Sequence, residues 1–338
     1  VARGEERRAD KRHGVAARDG EGAPVDLIAV LVAVTPMAHG AVEPRVLSIR
    51  GGSSLPSGPF GLRHRSLQAG LRGWVESQTH HPLGYVEQLY TFADADRAMR
   101  RAGADADRAM RRVGADADGR GDRAGPMVSI SYLALTREGP PAGADEPEWR
   151  SWYAYFPWED RRGGGRMVEQ VIAPRLGAWA AAEDGAARRR RAALLFGLDG
   201  LAWHEELVLP RYELLWEAGL VAESGGDLPG LAMKGDHRRI LATGIARLRA
   251  KIKYRPVVFE LLPAAFTLLD LQRCVEAIAG RAVHKQNFRR LIEQQELVEE
   301  TGAVARETGG RPAKLFRFRR AVLEERAVAG TKVGVTRG

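Results

Sequence analysis

Apolar residues fill every position from Leu27 to Val34, so VDLIAVLVAVT (residues 25–35) predicts a strand buried on both faces. A Gly-containing break over residues 39–43, closed by Pro44, leads into PRVLSIR (44–50), a second strand. GGSSLPSGPFG (51–61) reads as a Gly/Pro/Ser loop. SLQAGLRGWVESQT (66–79) then sets Leu67, Leu71, Trp74 and Val75 on one helical stripe, with Ser66 as N-cap. YVEQLYTF (85–92) and MVSISYLALT (127–136) return to strand patterns. This order of elements predicts an α/β domain of about one hundred residues.

Further on, PEWRSWYAYFPWED (147–160) concentrates Trp and Tyr and is expected to pack against that domain. Several helical patterns follow between Met167 and Glu223. HRRILATGIARLRAKIKY then aligns Leu241, Ile245, Leu248 and Ile252 as a connecting helix. The end of the chain changes pattern again. Thr267 and Asp270 give a T-x-x-D capping signal for a helix whose Leu268, Leu271, Val275 and Ile278 face a core, and Gly280 is placed to end it. A second helix from His284 or Lys285 is expected to bury Phe288, Leu291 and Ile292. Two short strands, LVEE (297–300) and KLFRF (314–318), complete a helix–helix–hairpin order. That is the order a winged helix needs.

Charge sharpens this reading. Residues 245–338 hold 19 Lys and Arg against 10 Asp and Glu, whereas the first 244 residues are neutral. The whole net charge of +9 therefore sits at one end, as a nucleic-acid module requires. On the second helix, Lys285, Gln286, Asn287, Arg289 and Arg290 stand as DNA-contacting residues, joined by Arg311 and Lys314 near the tip of the wing. Gln286 and Arg289 suit base edges, while Lys285 and Arg290 suit phosphates. Double-stranded DNA is the expected partner.

Other features exclude classes. The single cysteine, Cys274, rules out an internal disulfide, and its helical neighbours Leu271 and Ile278 make it a core residue. Residues 1–24 are charged, Gly-rich and without an apolar h-region, so neither a signal peptide nor an ordered segment is expected there. The run Leu27–Val34 is too short to cross a bilayer, and a cytoplasmic protein without membrane contact is expected. An Asp/Arg repeat, ADADRAMRRAG followed by ADADRAMRRVG and a partial third copy (93–121), reads as a duplicated surface loop. It lacks the Gly and Glu spacing of an EF-hand. Arg188–Arg191 reads as a solvated helix face. His204-Glu205-Glu206 is no zinc-protease motif, because Val208 stands where the second His belongs.

The loop and helix around Gly58 resemble a Nudix box, in which helical glutamates hold a divalent metal against a diphosphate. Aligned on Gly58, Arg72 and Glu76 match the box, whereas His64, Gly73 and Ser77 replace glutamates and Thr79 replaces glycine. One carboxylate on this helix does not assemble a hard-cation site, so neither catalysis nor a metal or other cofactor is expected. Leu55-Pro56-Ser57-Gly58 and the strand pattern after the box are similar to one subgroup, the Nudix-related transcriptional regulators of NAD metabolism. So are FELLPAAFTLLDLQRCVEAIAGRAVHKQNFRR and GRPAKLFRF at the C-terminal end.

The resemblance implies an α+β multidomain protein. A Nudix-like α/β/α sandwich (25–160) is followed by a helical insertion (161–230), a connecting helix (231–254), a winged helix (255–320) and a tail (321–338). It further implies a homodimeric repressor on a DNA operator, gated by ADP-ribose or a similar nucleotide, with Ser57, Gly58, Arg72 and Glu76 near that effector. The alternative is a divergent Nudix hydrolase that draws on carboxylates elsewhere, such as Glu87 and Asp94.

Overall fold

The computed structural model of the protein describes residues 25–37, 40–61, 64–80, 83–93, 128–137, 147–181, 185–305, 312–319 and 321. The described residues within 26–92 and 129–338 pack as one compact unit; a second unit, Val1–Val25 with Ala93–Val128, lies almost wholly outside the described residues. The Asp/Arg repeat, the N-terminal 24 residues, Asp94, Arg311 and nearly all of the tail fall outside them too.

Strand β1 (Val25–Pro36) is buried from Leu27 to Ala33, as its unbroken apolar run dictates. It pairs antiparallel with β2 (Val42–Ser48) and with β3 (Ser57–Pro59). Strand β4 (Tyr85–Phe92) pairs with β5 (Val128–Leu135), and β6 (Glu148–Ser151) with β2, giving the order β4-β5-β1-β2-β6. The segment 51–61 is thus not all loop. Its middle joins the sheet because Gly58 fits beneath a tryptophan, a fit described below.

Two helices cover opposite faces of β1. Helix α1 (Leu67–Thr79) starts where expected, with the Ser66 side chain accepting from Ala69 N. Its Gly70 lies close to Leu27 of β1. On the other side Gly244 meets Val30 so closely that an added Cβ would stand 2.8 Å from a Val30 methyl. Leu27 and Val30 are an odd number of positions apart and so point to opposite faces. The helix carrying Gly244, called α5 below, therefore closes an α/β/α sandwich as well as connecting to the C-terminal module.

Between β6 and α5 come a helical turn (Trp152–Tyr155), a 3₁₀ turn (Pro157–Glu159) and helices α2 (Ala173–Trp179), α3 (Gly185–Phe196) and α4 (Val208–Glu217). A π turn, Val168–Ile172, precedes α2, just ahead of Pro174, whose ring removes an N–H from the α-helical ladder. In the arginine run Arg188 packs over Trp179, Arg191 pairs with Glu217 at 2.5 Å, and Arg189 and Arg190 are exposed. Helix α5 (His237–Lys251) buries Leu241, Ile245 and Leu248; Ile252 lies one residue past its end and is only partly covered.

The C-terminal module comprises α6 (Leu268–Ala279), α7 (Lys285–Gln294) and the hairpin β7 (Val298–Ala305) with β8 (Ala313–Phe318). The Thr267–Asp270 capping box is present in both directions, and Gly280 ends α6 in the left-handed conformation. Phe266 pairs with Phe316 through both backbone bonds, so the hairpin gains the rudiment of a third strand. Cys274 is buried in α6, and burial pushes its thiol up to about 12.

Candidate functional site

Helix α7 contributes Phe288 and Ile292 to the core and leaves Lys285, Gln286, Asn287, Arg289 and Arg290 exposed. Among the described residues none of those five side chains holds a hydrogen bond or an ion pair. Leu291, expected in the core, is 48% exposed. It flanks the Phe288/Ile292 stripe, and only that stripe is buried.

The hairpin behaves differently. Lys314 pairs with Glu300 at 2.8 Å, Arg317 with Glu299 at 2.7 Å and Arg319 with Glu296 at 3.6 Å. Lys314 is therefore not a free cation on the wing, because the register brings Glu300 beside it. Among the described residues of α7 and the hairpin, the cations without an acidic partner are Lys285, Arg289 and Arg290, all on α7.

The entry to α7 is held by two residues that sequence reasoning passed over. Glu276 Oε1 accepts from Val283 N at 2.8 Å and from Gln272 Nε2 at 3.1 Å, and Gln272 also donates to Val283 O. His284, the N-cap of α7, makes no side-chain capping bond, so this clamp on the preceding residue fixes where α7 begins. Its signal was a Gln–Glu pair four residues apart on α6.

The second set, Ser57, Gly58, Arg72 and Glu76, lies on β3 and α1. Gln78 grips the backbone of Ser57 at both ends, accepting from N at 3.0 Å and donating to O at 2.8 Å. The Trp74 ring lies against Gly58, where a Cβ would come within 2.2 Å of it, and Trp74 Nε1 donates to Pro59 O. Arg72 does not pair with Glu76. Its guanidinium donates to the carbonyls of Leu83 and Gly84, fixing the turn into β4, while Glu76 points to solvent without a side-chain partner among the described residues.

Just beyond that turn Tyr85 accepts from Lys251 Nζ at 2.7 Å and donates to Glu87 at 2.5 Å; Lys251 also pairs with Glu87. Glu87 is thus engaged by a cation of α5. No three His, Cys, Asp or Glu side chains among the described residues stand together as a metal site would need. Glu205 and Glu206 both face Lys253, at 3.2 and 2.9 Å. No helix among the described residues is long and apolar enough to cross a membrane.

Three likenesses bear on this geometry. Residues 258–318 match the family described as the NrtR DNA-binding winged helix domain. The ADPR-responsive transcriptional repressor NtrR of Acinetobacter baylyi is 40% identical over 83 residues, a quarter of this chain. The match spans about a third of that relative's length (33%). A crystal structure of Shewanella oneidensis NrtR with a 27-mer DNA superposes over 89% of this chain and 95% of its own, with a TM-score of 0.50 and 19% identity. The last likeness speaks for the fold, the first for the module that carries the free cations. The C-terminal module is accordingly similar to the NrtR DNA-binding winged helix domain, and the chain as a whole has the fold of a Nudix-like domain joined to a winged helix.

Proposed function

We propose that this protein is a DNA-binding transcriptional repressor that works in the cytoplasm as a homodimer and controls NAD or related nucleotide metabolism. Helix α7 enters the major groove of the operator. Gln286, Asn287 and Arg289 read base edges there, and Lys285 and Arg290 hold phosphates. Arg311 adds a backbone contact from the wing, and Lys314, which Glu300 already faces, a weaker one. Its Nudix-like domain senses ADP-ribose or a similar nucleotide beside Ser57, Gly58, Arg72 and Glu76. Sensing rather than turnover follows from a box that keeps a single carboxylate, Glu76, on the helix.

The observation that carries this reading is the row of exposed, unpaired cations on α7, within the segment matching a DNA-binding winged helix. The nucleotide is the one to which the Acinetobacter relative, an ADPR-responsive repressor, is named as responding.

Fluorescence anisotropy tests it. The purified chain is titrated onto DNA from upstream of its own operon and onto scrambled DNA, with and without ADP-ribose. Tight, salt-sensitive binding to the first DNA only, shifted by the nucleotide, is the expected result. Equal, weak binding to both DNAs, together with magnesium-dependent release of AMP from ADP-ribose, would replace the regulator by a hydrolase.

A further inference from the structure

Leu291 is the one apolar side chain on α7 that the fold leaves in solvent, among the described residues. At 3.6 residues per turn it lies about 60° from Phe288, on the side away from Ile292. Asn287 shares that flank one turn earlier and Gln294 one turn later. Single exposed leucines are common on proteins and need no explanation by themselves. This one stands on a helix whose other exposed side chains are all polar or charged, directly after Arg289 and Arg290, which have no acidic partner among the described residues.

In the major groove an apolar side chain has one specific complement, the C5-methyl group of thymine. A neighbouring Asn matches the N6/N7 edge of adenine. Resting on the DNA-binding reading above, we infer that Leu291 reads a thymine methyl group in the operator, next to the base pair contacted by Asn287. Leu291 is then a specificity residue. Lys285 and Arg290 bring the helix to the groove, and Leu291 selects among the sequences they admit.

The test uses the full chain and an operator obtained by site selection. Each thymine in turn is replaced by deoxyuridine, which removes only the methyl group. Wild type should lose about fourfold in affinity at one thymine per half-site, the worth of one methyl-sized apolar group. Leu291→Ala should bind the unmodified operator more weakly by a similar factor and be indifferent to that same replacement. Leu291→Met should keep the sensitivity. Affinity for scrambled DNA should stay the same in all three.

Additive losses, in which Leu291→Ala retains the full deoxyuridine penalty at every position, would overturn the assignment while leaving DNA binding intact. So would an operator without thymine in the half-site, or a Leu291→Ala protein changed in sedimentation but not in selectivity, which would make Leu291 a protein contact. A wild type that selects no sequence at all would remove the DNA reading and this inference together.

Discussion

Arg249 holds the buried carboxylate of Glu159 at 2.5 Å, and from the same guanidinium donates to Ile278 O at the end of α6. Arg211 of α4 grips the other side of Glu159 at 2.7 and 2.8 Å, and all three side chains are sealed from solvent. Tyr153 donates to Ala277 O and accepts from Arg249, and Arg161 N donates to Gly280 O. One polar knot therefore ties the segment after β6, the helical insertion, α5 and the winged helix together. A surface docked through water would leave the winged helix free to turn; this knot fixes the end of α6 to the sandwich.

Because two guanidiniums share one carboxylate, the knot is intolerant of losing it. Glu159→Gln leaves Arg211 and Arg249 buried without a counter-charge, a change that costs about 3–5 kcal/mol. Urea unfolding of the variant should show that loss. A difference below about 1 kcal/mol would mean that water or a repacked neighbour replaces the carboxylate.

The same carboxylate sets a dependence on pH. Burial pushes Glu159 up, but Arg211 and Arg249 outweigh it and hold the group below its ordinary range. Asp160, beside Arg162, is also held low against the opposing effect of burial. A depressed folded pKa stabilises fully above the unfolded value, about 4.3 for Glu and 3.9 for Asp, and the gain is lost as pH falls through the folded value. Stability should hold down to about pH 5 and then drop. Wild type and Glu159→Gln should converge below about pH 4, as the difference between their unfolding curves shows. A constant difference down to pH 3 would contradict the assignment.

At the other end of α6, Glu276 and Gln272 clamp Val283. Glu276→Ala frees the half-buried Val283 N–H and loosens the entry to α7, at about 1 kcal/mol for one lost hydrogen bond. Operator affinity should fall while weak binding to scrambled DNA persists, since the cations of α7 survive but lose their register. Gln at position 276 keeps the acceptor and should restore most of the affinity. Equal losses on both DNAs would point to general unfolding instead.

Arg72, the turn at Leu83 and Gly84, Tyr85 and Lys251 form a continuous chain from α1 to the last residue of α5. If nucleotide binding near Arg72 moves that turn, Tyr85 carries the motion to the end of the helix that leads to the winged helix. Tyr85→Phe should then leave ADP-ribose and operator affinities measured separately near wild type, and shrink the factor by which one changes the other. Glu76→Ala should weaken the nucleotide alone. An unchanged coupling factor in Tyr85→Phe would take this chain out of the signal.

Where patterns are local, the sequence sufficed: the unbroken apolar run of β1, the Ser66 cap, the Thr267–Asp270 box and the Gly280 stop each depend on neighbours within four residues. Glu159, Arg211 and Arg249 lie 52 and 90 positions apart, and charged residues read as surface until the fold pairs them. Strand β3 escaped because its pairing with β1 is long-range and its signal, Leu-Pro-Ser-Gly-Pro, is that of a loop. Leu291 and Ile292 are adjacent and equally apolar; only the packing of the folded module decides which is covered. The free cations of α7 were legible as residue types, whereas the acids that occupy Lys314 and Arg317 required the hairpin register.

That register separates two kinds of basic residue on the module. Arg290 is unpaired and should neutralise a phosphate outright, so Arg290→Ala should weaken operator and scrambled DNA alike and lower the salt slope of binding by about one. Lys314 already faces Glu300, so Lys314→Ala should change the slope by far less. Arg289→Ala should cost about 1–3 kcal/mol on the operator and blunt its sequence preference. Anisotropy titrations across a salt series on both DNAs give all three quantities. A Lys314→Ala slope that falls as far as that of Arg290→Ala would show that Lys314 exchanges Glu300 for phosphate in the complex and contacts the backbone in full.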